Sequence, residues 1–154
     1  MRVVRYSGGY KYQIKGDWHI QTQIRGFDIH TAFIRLTREG LMTVRNGYAC
    51  DGPSGPTIDT PLFKLGAFTH DPLYQLIREG HLPFEYWRRC DYELKSAVLR
   101  KLEEKRDHST RWRKLRSQAH ERAWDVRLVW IMAGLNAAAG TAAKPKNKKT
   151  IHEI

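Results

Sequence analysis

Residues 46–61, NGYACDGPSGPTIDTP, carry three glycines and three prolines, so no helix or strand can run through them. They divide the chain into halves with different hydrophobic periods. Before them the pattern alternates: Tyr10, Tyr12 and Ile14 share one face, and Trp18, Ile20, Thr22 and Ile24 another. Ala32, Ile34 and Leu36 follow, then Arg38-Glu39-Gly40 as a turn, then Leu41 to Val44. Period two punctuated by glycine predicts a small antiparallel sheet with at least one hairpin. After the loop the period becomes helical, from Leu62 to Arg78-Glu79, with Gly80 as the stop. A second helix follows Pro83, with Trp87, Leu94, Val98 and Leu102 as its apolar stripe. A third stretch, about 110–139, sets Trp112, Leu115, Ala119, Ala123, Trp124, Leu128 and Met132 at helical spacing. The predicted class is α+β: an N-terminal antiparallel sheet, a turn-rich loop, then two or three packed helices.

A chain of 154 residues supports one core rather than two, so we expect a single domain over 1–140. The end, 141–154, contains Lys144-Pro-Lys-Asn-Lys-Lys149 and is expected to be a flexible basic tail. Twenty-seven Lys and Arg against sixteen Asp and Glu give a formal net charge of +11, which favours an anionic partner. Cys50 and Cys90 are too few for a disulfide framework and lie in no CxxC metal motif. The start lacks the apolar core of a signal peptide, and the run Leu128–Leu135 is shorter than the roughly 20 residues of a spanning helix. These features predict a cytoplasmic product, or one carried elsewhere by an assembly, with no transmembrane segment.

Asp91 stands out because it shares a helix face with Trp87, Leu94, Val98 and Leu102. A carboxylate in an apolar stripe faces the core or a cleft, where its charge needs a partner. Arg88 or a neighbouring backbone amide would serve, and so would the preceding helix. There Thr69-His70-Asp71-Pro72-Leu73-Tyr74 puts His70 and Tyr74 four apart on one face. Asp71 lies about 100° further round, suited to an adjacent subsite. Pro72 removes an amide and predicts a local irregularity. A carboxylate that holds one imidazole nitrogen leaves the other free as a general base toward water.

The loop supplies Asp51-Gly52-Pro53-Ser54-Gly55, a turn with one carboxylate and several carbonyls of the kind that bind hard cations such as calcium. Asp51 and Asp71 would be two anionic ligands. The loop lacks the DxDxDG spacing of an EF-hand. Ser54, between Pro53 and Gly55, is not in the GxSxG setting of a serine nucleophile.

Together these residues carry two resemblances. Tyr48-Ala-Cys-Asp51-Gly-Pro-Ser-Gly-Pro-Thr-Ile-Asp59-Thr, followed by His70-Asp71-Pro-Leu-Tyr74 and Arg89-Cys-Asp91, resembles an uncharacterised phage and prophage family over roughly residues 15–105. That resemblance implies a phage origin, in the host cytoplasm or the virion, rather than an activity. Separately, an Asp-Gly loop, an HD-x-x-Y helix and an Asp 21 positions after the His are similar to small bacterial phospholipases of the A2 type. It implies His70 as general base, Asp91 as its orienting carboxylate and Tyr74 as a brace. It also implies Asp51 and Asp71 as calcium ligands, assisted by the Gly52 carbonyl. Those enzymes are mostly helical and disulfide-linked, and this chain departs from them in both respects.

The leading expectation is a metal-assisted hydrolase of phage type, acting on a lipid ester at an anionic lipid surface. The stretch Trp124 to Met132 would then enter the interface, although such a stripe more commonly marks a buried core helix. One rival is a non-catalytic phage virion or assembly protein, bound to other phage proteins, in which the HD-x-x-Y cluster is a structural network. A third is nucleic-acid binding through Arg111, Arg113, Lys114, Arg116, Arg122 and Arg127, without a recognised motif.

Overall fold

The computed structural model describes residues 5–7, 12–52 and 61–107, with isolated positions 126, 129, 130, 132, 133 and 144. Among the described residues seven short strands precede two long helices, the α+β arrangement that the change of period predicts. Strands β1 (Arg5–Ser7), β2 (Tyr12–Lys15) and β7 (Ala49–Cys50) form one antiparallel sheet in the order β1-β2-β7. Strands β3 (Trp18–Gln21), β4 (Ile29–His30), β5 (Ile34–Leu36) and β6 (Leu41–Val44) form another, in the order β3-β6-β5-β4.

In the second sheet the alternating apolar residues line up across strands. Ile29 opposes Leu36, which opposes Met42, which opposes Ile20; Ile34 opposes Val44, which opposes Trp18. All seven are buried, so one face of the sheet is a continuous apolar surface and a one-residue slip would expose it. The predicted turn closes the β5–β6 hairpin, with the Gly40 amide donating to Thr37 at 2.9 Å. Beyond β3, Thr22 and Ile24 are also fully buried, and the Thr22 hydroxyl donates to the Gly40 carbonyl at 2.8 Å.

After β6 the chain turns through Gly47 and the buried Tyr48, and β7 returns it to the first sheet, with Cys50 opposite Tyr12. This return delivers Asp51 and Gly52 to the flank of the first helix. That helix, α1 (Pro61–Arg78), buries twelve of its eighteen residues and so lies at the centre of the molecule rather than on its surface. Phe68 meets Tyr12 edge-on at 5.6 Å between ring centroids. The helix continues through Pro72 without interruption, contrary to the expected irregularity. Its end is a Schellman motif: Gly80 takes a positive φ of 79°, the His81 amide donates to Leu76, and the Gly80 amide to Ile77.

A short 3-10 turn at Phe84–Tyr86 leads into α2 (Trp87–Asp107). Leu94, Val98 and Leu102 pack with Leu62 and Phe63 of α1, while Cys90 and Ala97 join the main core with the strands. The helices approach closely at Gly66, where an added Cβ would stand 3.0 Å from Leu94 Cγ and 3.1 Å from Val98 Cγ2. Most of the third predicted helix, and the tail apart from Lys144, lie outside the described residues. Within that stretch 126, 129, 130, 132 and 133 are helical; Val126, Val129 and Trp130, which lie off the predicted stripe, are exposed, and Met132, the described member of the stripe, is half-buried. Among the described residues no helix is long and apolar enough to cross a membrane.

Candidate active site

His70 and Tyr74 project from one face of α1 toward the first turns of α2, where Asp91 is 1% exposed. His70 Nε2 lies 3.0 Å from Asp91 Oδ1, and the Tyr74 hydroxyl donates to the same oxygen at 2.7 Å. A carboxylate only accepts, so Nε2 carries a proton. The His70 and Tyr74 rings lie 4.0 Å apart, tilted by 34°, which leaves the imidazole little freedom to turn. Neither Arg88 nor a backbone amide takes the role of partner; Arg88 is exposed and lies over the Trp87 ring. The second oxygen of Asp91, Oδ2, is buried without a hydrogen-bond partner.

Asp71 departs from its expected place. Helical geometry sets it a step round from His70, but its Oδ1 comes back to 3.4 Å from His70 Nδ1. That contact is long for a hydrogen bond, yet it puts a second carboxylate on the nitrogen that was expected to face water. The other Asp71 oxygen accepts the Gly52 amide at 3.2 Å. The loop thus turns an N–H toward Asp71, where the resemblance implied a carbonyl turned toward a metal. Gly52 is required there: its φ is +64°, and a Cβ would stand 2.5 Å from the Tyr12 ring. Asp51, just before it, is partly buried and has an interaction of its own. Ser54 and Asp59 lie outside the described residues.

The electrostatics follow from this geometry. Burial alone would lower the His70 pKa, but the hydrogen bonds and charges of Asp71 and Asp91 outweigh it and raise the pKa above its ordinary 6.5. Burial, then the bond to Asp91, pushes the Tyr74 phenol far up, so it remains a donor. Burial also raises Tyr48, with the nearby Asp71 charge adding to the effect.

One Asp71 oxygen accepts the Gly52 amide, and the other faces the Nδ1 ring nitrogen of His70. Among the described residues no group of three or more His, Cys, Asp or Glu is disposed to hold a metal.

Two residues near the site escaped the sequence reading. Tyr48 is quoted in the motif but carries no predicted role. Glu93 is 2% exposed, and its Oε1 accepts the Gln23 amide at 2.6 Å, tying α2 to the end of the second sheet. Burial raises the Glu93 pKa, opposed by the Gln23 bond and the Arg100 charge. The signal was available: Cys90, Glu93 and Ala97 form a second buried stripe at helical spacing, interrupted by a carboxylate just as Asp91 interrupts the first. No family model, curated protein or solved structure matches this chain.

Proposed function

We propose that the chain is a hydrolase whose centre is the His70–Asp91 pair. The observation that carries this reading is the 3.0 Å contact between His70 Nε2 and a carboxylate buried in an otherwise apolar stripe. With the Nε2 proton fixed by Asp91 and Tyr74, the basic nitrogen of neutral His70 is Nδ1. That atom takes a proton from water as the water attacks the acyl carbon of an ester. When the tetrahedral intermediate collapses and its C–O bond breaks, the ring returns the proton to the leaving alcohol oxygen. The transient imidazolium lies between Asp91 and Asp71, whose charges stabilise it. The same charges raise the pKa, so the base form, and the rate, should grow as pH rises above 6.5. The similarity to phospholipases of the A2 type suggests a lipid ester as substrate, and the net charge of +11 suits an anionic surface.

The test is hydrolysis of anionic phospholipid vesicles, with and without calcium, alongside water-soluble esters. His70→Asn keeps a side chain that can bond Asp91, so the fold should survive while hydrolysis falls by roughly 100- to 10,000-fold. Activity that survives the substitution would mean that the centre lies elsewhere.

A second reading has a specific observation behind it: the His70 ring is about nine-tenths buried and has a carboxylate at each nitrogen. A ring held on both sides in this way suits a non-catalytic phage virion or assembly protein that uses the cluster for structure. On that reading, folded wild-type protein is inert on every ester, and His70→Asn changes only stability or assembly.

A further inference from the structure

We infer that a cleft beside the first turns of α2 is a second binding site, one that takes a nucleotide unit, with the base on an aromatic ring and the phosphate on Arg88. The cleft has a volume of about 400 Å³ and is lined by Trp87, Arg88, Tyr92 and Met132. That is within the range of small-molecule sites. It does not depend on the hydrolase reading, because Tyr92 points to solvent while its neighbour Asp91 is buried against α1.

The lining explains the ligand class. Arg88 lies 5.1 Å from the centre of the Trp87 ring, a cation–π contact that orients the guanidinium and leaves its N–H groups exposed. Arg89 repeats the arrangement over Tyr86 at 4.9 Å. Tyr92, one helical turn after Arg88, is 60% exposed, so its ring contributes little to the core and offers a face for stacking. A flat base attached to a phosphate meets both groups at once, and a chain of net charge +11 attracts the anion. Such a unit comes either from a single-stranded nucleic acid or from a free nucleotide.

The test uses the full chain and a fluorescein-labelled ten-residue oligothymidylate, followed by anisotropy at several salt concentrations, with unlabelled thymidine monophosphate as competitor. Wild type should bind the oligonucleotide. Tyr92→Ala should weaken binding about tenfold, or about 1.4 kcal/mol, and Tyr92→Phe should restore it. Arg88→Ala should reduce the slope of log affinity against log salt by about 0.7, the loss of one phosphate contact on a single strand, and Arg88→Lys should recover the slope. Arg35→Ala, an exposed cation on β5, should leave the effect of Tyr92→Ala unchanged. Displacement by the monophosphate at similar nucleotide concentration would assign the site to a free nucleotide, and failure to displace would assign it to a strand; either supports the site. The inference is overturned if neither probe binds, or if Tyr92→Ala and Arg88→Ala bind as wild type does. It is also overturned if Tyr92→Ala loses affinity only for phosphatidylglycerol vesicles, which would make this a lipid contact.

Discussion

Two adjacent layers of the α1–α2 crossing solve the same packing problem in opposite ways. In one, Gly66 lets the helices close on Leu94 and Val98, in an apolar cluster with Leu62, Phe63 and Leu102. In the next, one turn along, His70 and Tyr74 of α1 meet Asp91 of α2 through hydrogen bonds. Apolar burial stabilises by roughly 1.5–3 kcal/mol per large side chain and needs no particular geometry. A buried carboxylate costs several kcal/mol in lost hydration, which its partners repay only when placed well, and Asp91 Oδ2 has no partner. The polar layer is therefore the poorer choice for stability alone, which is the physical reason to look there for chemistry.

The largest effect should come from removing the shared acceptor. Asp91→Ala would leave the His70 Nε2–H and the Tyr74 hydroxyl buried without a partner, and we expect a loss of about 3–5 kcal/mol in urea unfolding. A loss under about 1 kcal/mol would mean that the layer is wet or loosely packed. Leu94→Ala, in the apolar layer, should cost about 2–4 kcal/mol. That cost should be the same at every pH from about 5.5 to 8.5, since the residues clustered with Leu94 are apolar. A pH-dependent cost would couple the two layers and break the comparison. Tyr74→Phe keeps the ring against His70 and removes one bond to a carboxylate, for which about 1.5 kcal/mol is expected.

The smallest effect is the most specific. Because the folded pKa of His70 lies above its ordinary 6.5, the protonated ring adds stability that is complete below 6.5. That increment disappears as pH rises through the raised folded value. The stability advantage of wild type over His70→Asn should accordingly shrink from pH 6 toward pH 8, in the direction opposite to the expected gain in hydrolysis. An advantage that grows with pH would show that His70 is held neutral.

What could be read from the sequence follows from which interactions are periodic. Trp18, Ile20, Ile34 and Leu36 declare their faces by alternation, and α1 and α2 by their stripes, so those strands, both helices and the stop at Gly80 were legible, whereas β7 lies inside the 46–61 segment that reads as turns alone. Strand partners were not legible: alternation fixes a face, and nothing local in Ala49-Cys50 says that it pairs with Tyr12-Gln13 across some 36 residues. In the site, Asp91 was legible as a carboxylate in the wrong stripe, and its bond to His70 follows from that. Asp71 was misplaced because a helical wheel locates Cα atoms, whereas a short carboxylate can swing back toward its neighbour's ring. Glu93 was missed because only one stripe of a helix that buries two was followed.

The most direct measurement is the titration of the His70 imidazole by long-range proton–nitrogen NMR, in wild type and in Asp71→Asn. We expect a pKa above 6.5 in wild type, lower in Asp71→Asn, and a neutral form that keeps its proton on Nε2, hydrogen-bonded to Asp91. A pKa at or below 6.5, or a neutral ring protonated on Nδ1, would contradict the placement of His70 between two carboxylates.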